Sequence, residues 1–170
     1  MHLVPNRPAP ALTFPMLSGK PFDLARRRPR SFTQIIVYRG LHCPICKSYL
    51  KGFDARFSEF EERGVETVAV STDTREAAEQ SVASWGLERL PVGYGLAIET
   101  ARSWGLYISS AIREEEPPLF AEPGLFLVHP DARLYWATAQ SMPFTRPSVS
   151  DLLQALDFIL AKKYPARGAA

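Results

Sequence analysis

The chain is poor in the features that would place it in a special class. Among 170 residues there are two cysteines and three histidines, and the net charge is only +2. Two cysteines do not build a disulfide scaffold at this size. A charge so near neutral gives no ground for nucleic acid, a membrane surface or an acidic partner. No apolar run approaches the roughly 18 residues of a membrane span. Met1 to Ala11 carries three prolines and no continuous apolar stretch, so it does not read as a secretory signal. Repeats, linkers and low-complexity tracts are absent. The expectation is a cytoplasmic protein with one domain over residues 1–165 and a flexible tail at 166–170. Hydrophobic residues make up 46%, which is enough for a packed core.

The periodicity gives an order of elements. Phe14, Phe22 and Leu24 suit a short hairpin turning at Ser18-Gly19. The basic run Arg26-Arg27-Arg28-Pro29-Arg30 reads as a solvated loop. Thr33 to Tyr38 is β-branched and aromatic, a buried strand. A long helix follows, with Cys46, Tyr49, Leu50, Phe53, Phe57 and Phe60 on one face, and should end at Gly64. Val65 to Ser71 is a second buried strand. Asp73 and Glu76 have capping-box spacing before a helix burying Ala78 and Trp85. Pro91 to Leu96 suits a short strand and Ile98 to Trp104 a short helix, while residues 107–122 look irregular. Leu125 to Val128 and Arg133 to Ala137 form a hairpin, and Ser148 opens a final helix. A strand–helix–strand start implies a parallel pair, and the later hairpin adds antiparallel strands. The fold class is therefore α/β, with a mixed central sheet and helices on both faces.

The chemistry concentrates at Cys43 and Cys46. If the long helix begins after Cys43, that cysteine is its N-cap and Pro44 its first residue, where proline is favoured. The free amides of Ile45 and Cys46 would then point at the Cys43 sulfur, aided by the helix dipole. Both effects favour thiolate, so Cys43 should ionise below about 8.5. Cys46, one turn on, lies within disulfide reach. Arg39 or His42 would add to this if they faced the sulfur. Three other readings compete. Inert core thiols suit Cys46, which lies on the apolar stripe, better than Cys43. A zinc site lacks a second Cys-x-x-Cys, and His2, His42 and His129 form no ligand pair. Haem attachment needs a histidine where Lys47 stands. No metal or cofactor is expected. Gly93-Tyr94-Gly95 is not a nucleotide loop. A Cys-x-x-Cys between strand and helix reads as a thioredoxin-type redox site.

The run Tyr38-Arg39-Gly40-Leu41-His42-Cys43-Pro44-Ile45-Cys46 resembles the Tyr-Arg-Gly-x-x-Cys-Pro-x-Cys signature of peroxiredoxin-like proteins. These belong to the alkyl hydroperoxide reductase / thiol-specific antioxidant family. Pro123 to Asp131 resembles that family's Pro-Gly-x-Phe-Val-x-Asp segment. Met142 to Pro147 is similar to a further segment, and the likeness spans roughly residues 10–162. It implies a thioredoxin-like (peroxiredoxin-like) fold. Thioredoxin-like proteins carry a cis-proline before the later strand, which would be Pro123. Peroxiredoxins carry Pro, three residues, Thr, two residues, then the peroxidatic Cys. Arg39, Cys43 and Cys46 stand at those three places. Their activating Arg is expected near the start of the later strand, where this chain has Pro123-Gly124.

Cys43 is thus the better nucleophile by helix-cap physics, and Cys46 the better peroxidatic match by resemblance. Arg39, His42, Pro44, Pro123 and Arg146 are the supporting residues. Two activities follow, each ending in a Cys43–Cys46 disulfide: a dithiol oxidoreductase acting on disulfides, and a thiol peroxidase acting on hydroperoxides. Either needs an external thiol reductant, thioredoxin- or glutathione-like, and neither precludes a homodimer. The alternative is a binding domain that kept the fold and lost the redox reaction.

Overall fold

The computed structural model describes residues 3–170, so His2 lies outside the described residues. Its centre is a five-stranded sheet built on β3 (Phe32–Val37), the β-branched run. β4 (Val65–Val70) and β5 (Val92–Gly93) lie parallel on one side of β3, while β8 (Gly124–Val128) and β9 (Leu134–Ala139) lie antiparallel on the other. The order is β5-β4-β3-β8-β9, the expected mixed sheet.

Alternation along the strands sorts the core into two layers. Phe32 and Ile36 of β3, Val65 and Ala69 of β4, and Leu125 and Leu127 of β8 face one way. They meet Leu50 and Phe53 of α1 (Pro44–Ala55), Phe60 of α2 (Phe57–Glu62), Ala78 and Trp85 of α3 (Arg75–Trp85), and Leu152, Leu153 and Leu156 of α5 (Val149–Lys162). Ile35, Val37, Val68, Val70, Phe126 and Val128 face the other way. There they meet Ala101 of α4 (Ile98–Ser103), Trp104, and the N-terminal hairpin of β1 (Thr13–Phe14) and β2 (Phe22–Asp23). The stacked rings of Phe14 and Phe22, 4.6 Å apart, seat that hairpin.

Five local expectations are corrected. The long helix is two, because Arg56 leaves helical geometry (φ −111°, ψ 19°) and its guanidinium folds forward onto Glu59 at 2.7 Å. The apolar stripe continues across the break, so Phe60 stays buried. Thr74, not Asp73, caps α3 by accepting the Ala77 N–H, since the Asp73 carboxylate turns inward. Residues 107–122 are not irregular. Ile108–Ser110 (β6) and Leu119–Ala121 (β7) pair as an antiparallel hairpin. The strand expected over Pro91 to Leu96 shrinks to Val92–Gly93. The basic run is only partly solvated, because Arg27 lies over the Phe22 ring and pairs with Glu66 at 2.6 Å.

One contact ties α1 to the α3–β5 connection. Asp54 Oδ1 accepts the N–H groups of Glu88, Arg89 and Leu90 at 3.0, 2.8 and 2.8 Å. Burial acts to raise this carboxyl, but the three donors prevail and hold it below its usual range. We expect Asp54→Ala to lose about 1–2 kcal/mol in urea denaturation at neutral pH. A carboxyl with a depressed folded-state pKa contributes fully above its unfolded value of about 3.9, and that contribution is lost as the pH falls through the folded value. The gap between variant and wild type should therefore close in acid.

Candidate active site

β3 delivers the chain to the site, and a short loop turns it into α1. The Tyr38 N–H still pairs with the Val70 carbonyl at 3.1 Å. Gly40 then adopts φ +138°, against the Asp73 carboxylate, so close that a Cβ would lie 2.5 Å from Oδ1. Only glycine fits there. The Leu41 N–H donates to Asp73 Oδ2 at 2.8 Å, and the Cys43 N–H closes the turn on the Gly40 carbonyl at 3.1 Å.

Cys43 is the N-cap of α1 and Pro44 its first residue. The Cys46 N–H donates to Cys43 Sγ at 3.3 Å. Of the two amides expected to reach the sulfur, the one from Cys46 is the hydrogen-bonded donor. Both cysteines are free thiols and buried, 1% and 0% exposed.

Two side chains act on this pair most directly. The neighbouring Cys46 side chain and the Cys46 N–H together outweigh burial and lower Cys43 to about 6. Arg146 and, less strongly, Arg39 push the same way. Cys46 is raised, first by burial and then by the neighbouring Cys43 sulfur. The two shifts have opposite signs, so they favour ionisation of Cys43 before Cys46. Arg146 reaches in from the segment before α5. Its two terminal nitrogens each lie 3.6 Å from Cys46 Sγ, its Nε donates to the Pro143 carbonyl at 3.0 Å, and its plane lies 4.5 Å over the Tyr49 ring. The guanidinium thus contacts the sulfur whose pKa is raised, not the one whose pKa is lowered.

The remaining sequence candidates are placed as follows. Arg39 points to the β6–β7 hairpin, with Nε 3.3 Å from Glu122 and its plane 4.7 Å over Phe120. His42 packs edge-on against Phe120 at 4.8 Å. Burial and then the Arg39 charge lower its pKa, so its imidazole is neutral at pH 7. The Pro123 peptide bond is trans, correcting the cis-proline. Pro123 nevertheless joins Tyr49, Gly124 and Arg146 around a crevice with no room for a water molecule. Neither of the larger surface grooves has a cysteine in its lining.

Sequence reading missed three residues of this neighbourhood. Asp73 carried capping-box spacing and so looked like a helix start. Tyr49 counted as apolar stripe, yet its hydroxyl donates to the Pro147 carbonyl at 2.8 Å and its ring supports Arg146. Glu122, only 3% exposed, had no signal except its place before Pro123-Gly124.

The profile of the AhpC/TSA family matches residues 5–137, more than half of the chain. Among solved structures the chain is similar to a cysteine-to-serine mutant of peroxiredoxin 6 of Arenicola marina. That match has 16% identity and TM-score 0.77, covering 95% of this chain and 76% of that one. It is also similar to a peroxiredoxin-like protein from Aquifex aeolicus (14%, 0.75, covering 94% and 89%). A third match is Mycobacterium tuberculosis AhpC (16%, 0.75, covering 98% of both). A comparison with curated proteins gave no match. At these identities the structures speak for the thioredoxin-like peroxiredoxin fold.

We expect the ultraviolet thiolate absorbance of the reduced protein to titrate with a midpoint near 6. Cys46→Ala removes the thiol donor and should move that midpoint up toward the ordinary value of about 8.5. Arg146→Met should move it the same way by less.

Proposed function

This chain belongs to the AhpC/TSA family of thiol-based oxidoreductases, and we propose that it is a thiol peroxidase whose Cys43 thiolate is the attacking group and whose Cys46 is both proton donor and resolving thiol. The observation that carries this reading is the geometry of the pair: Cys43 Sγ accepts the Cys46 N–H at the α1 N-cap, Cys46 Sγ is faced by Arg146, and these surroundings shift the two thiols in opposite directions.

The steps follow from that division. The Cys43 thiolate attacks the terminal oxygen of a hydroperoxide, so an S–O bond forms and the O–O bond breaks. The leaving alkoxide, or hydroxide from hydrogen peroxide, takes the Cys46 proton. Cys43 is then a sulfenic acid and Cys46 a thiolate, now stabilised by the guanidinium already beside it. Cys46 attacks the Cys43 sulfur, forming the disulfide and expelling hydroxide, which takes a solvent proton to become water. Two electrons pass from the thiol pair to the peroxide. An external thiol reductant restores the pair.

Burial favours peroxide over a disulfide acceptor. Thiol–disulfide exchange needs the attacked sulfur of a bulky substrate brought to the nucleophile, and Cys43 is only 1% exposed. A peroxide of few atoms requires far less clearance. Arg146 supplies a guanidinium from the α5 approach where peroxiredoxins are expected to supply one from the later strand. Cys43 stands in for their threonine, offering sulfur in place of a hydroxyl.

Mixing the reduced protein with hydrogen peroxide in a stopped-flow instrument should give oxidation at least a hundredfold faster than a free thiol, a gain of about 2.7 kcal/mol in barrier. Cys43→Ser should abolish it. Cys46→Ser should stop at a sulfenic acid trapped by dimedone, with no internal disulfide. Oxidation no faster than a free thiol would remove this reading.

A further inference from the structure

The β6–β7 hairpin places a second group of buried charges beside the redox loop, and the reaction above makes no use of it. Arg39 Nε lies 3.3 Å from Glu122 Oε2, and Arg39 Nη2 lies 3.7 Å from Glu116 Oε1. The side chains of Arg39, Glu122 and Glu116 are 16%, 4% and 7% exposed. Ser109 donates its hydroxyl to the other oxygen of Glu122 at 2.6 Å, which fixes that carboxylate. The Phe120 ring underlies the guanidinium at 4.7 Å. Arg39 Nε and Glu122 Oε2 are both buried, and neither has an aligned hydrogen bond. They hold each other by charge rather than by geometry.

Such an arrangement is a poor stabiliser. Desolvating the ions offsets most of their attraction unless hydrogen bonding is good, and apolar replacements are often at least as stable. Its place is informative: Arg39 directly precedes Gly40, whose carbonyl accepts the Cys43 N–H at 3.1 Å, so Arg39 and Cys43 sit on one tight turn, where a positive charge favours the thiolate. Glu116 and Glu115 act in turn on His42, from the same hairpin.

We propose that Glu122 is a positioning residue for the redox pair: clamped by Ser109, it anchors the Arg39 guanidinium on the hairpin and thereby sets how much of that positive charge reaches the Cys43 sulfur. This rests on Cys43 being the reactive thiolate. It deepens that reading by making the hairpin, through one carboxylate, a determinant of the nucleophile's ionisation. Without the Glu122 charge the guanidinium keeps only Glu116 and the Phe120 face, less of its positive charge is neutralised on the hairpin, and the Cys43 thiolate gains.

The test is a thiolate titration of reduced protein, without peroxide, in a four-variant cycle. E122Q keeps the side-chain shape and should raise the Cys43 thiolate-to-thiol ratio at pH 6 about threefold to tenfold, tenfold being one pKa unit. R39Q should lower the ratio. In the R39Q background, adding E122Q should change it by less than about 1.5-fold, because a carboxylate that works through Arg39 has nothing left to hold. Should E122Q not fold, E122D keeps the charge but withdraws it by one methylene, and should shift the ratio in the same direction. An unmoved midpoint in E122Q or E122D overturns the proposal. So does an equal shift with and without Arg39, which would mean a direct field from Glu122. Because no peroxide is used, titrations that behave as expected alongside absent peroxide turnover would sink the proposed activity and leave the positioning role standing.

Discussion

The Cys43 sulfur accepts the Cys46 amide at the N-cap of α1, with the Cys46 side chain beside it, and the surrounding architecture makes that meeting possible. An anion in a dry site is expensive unless donors surround it. The first turn of an α-helix offers such donors at no further cost, because its N–H groups have no partners inside the helix. Pro44 fixes the backbone at that turn. Gly40 and the Asp73 carboxylate fold the loop so that Cys43 arrives at the cap position and not one residue early or late. A side chain at position 40 would push Asp73 off the Leu41 amide and move the cap.

The two sulfurs are chemically alike but see different surroundings, and the difference produces the order of events. Cys43 accepts; Cys46 donates. Arg146 looks misplaced beside the protonated sulfur if only the resting state is considered. In the proposed cycle it meets the charge when Cys46 gives up its proton, so the electrostatic support is arranged along the reaction coordinate and not concentrated on the starting anion. Preorganised charge aimed at where negative charge develops is the general form of such stabilisation.

The parts legible from sequence were those set by local rules. The β-branched, apolar runs marked β3 and β4 as buried strands, and the N-cap place of Cys43 follows from the preference of Pro44 for the first helical position. The helical stripe Leu50, Phe53, Phe60 survived even where the helix itself broke at Arg56. What sequence hid was set by contacts across long separations. Asp73 has two competing uses, capping a helix or holding the Leu41 amide 32 residues away, and only the packed loop decides between them. Tyr49 looked apolar because its ring is, while its polar end answers to Pro147, 98 residues on. The β6–β7 hairpin lacks strong alternation. Its pairing owes much to Phe120 and Ala121, which dock it onto the rest of the molecule.

The same long-range logic distinguishes the two coverings of the site. The segment before α5 is held to the cysteines through Arg146, whose contacts are one backbone carbonyl, one aromatic face and the Cys46 sulfur. The hairpin is held through Arg39, whose partners are two carboxylates and an aromatic face. In the proposed cycle Cys46 becomes the anion that faces Arg146, and closing the disulfide removes that charge while leaving the partners of Arg39 intact. An external reductant has to reach a sulfur that starts almost fully buried, and of the two arginines only Arg146 counts a sulfur among its contacts, so its covering is the one whose partners change with the oxidation state.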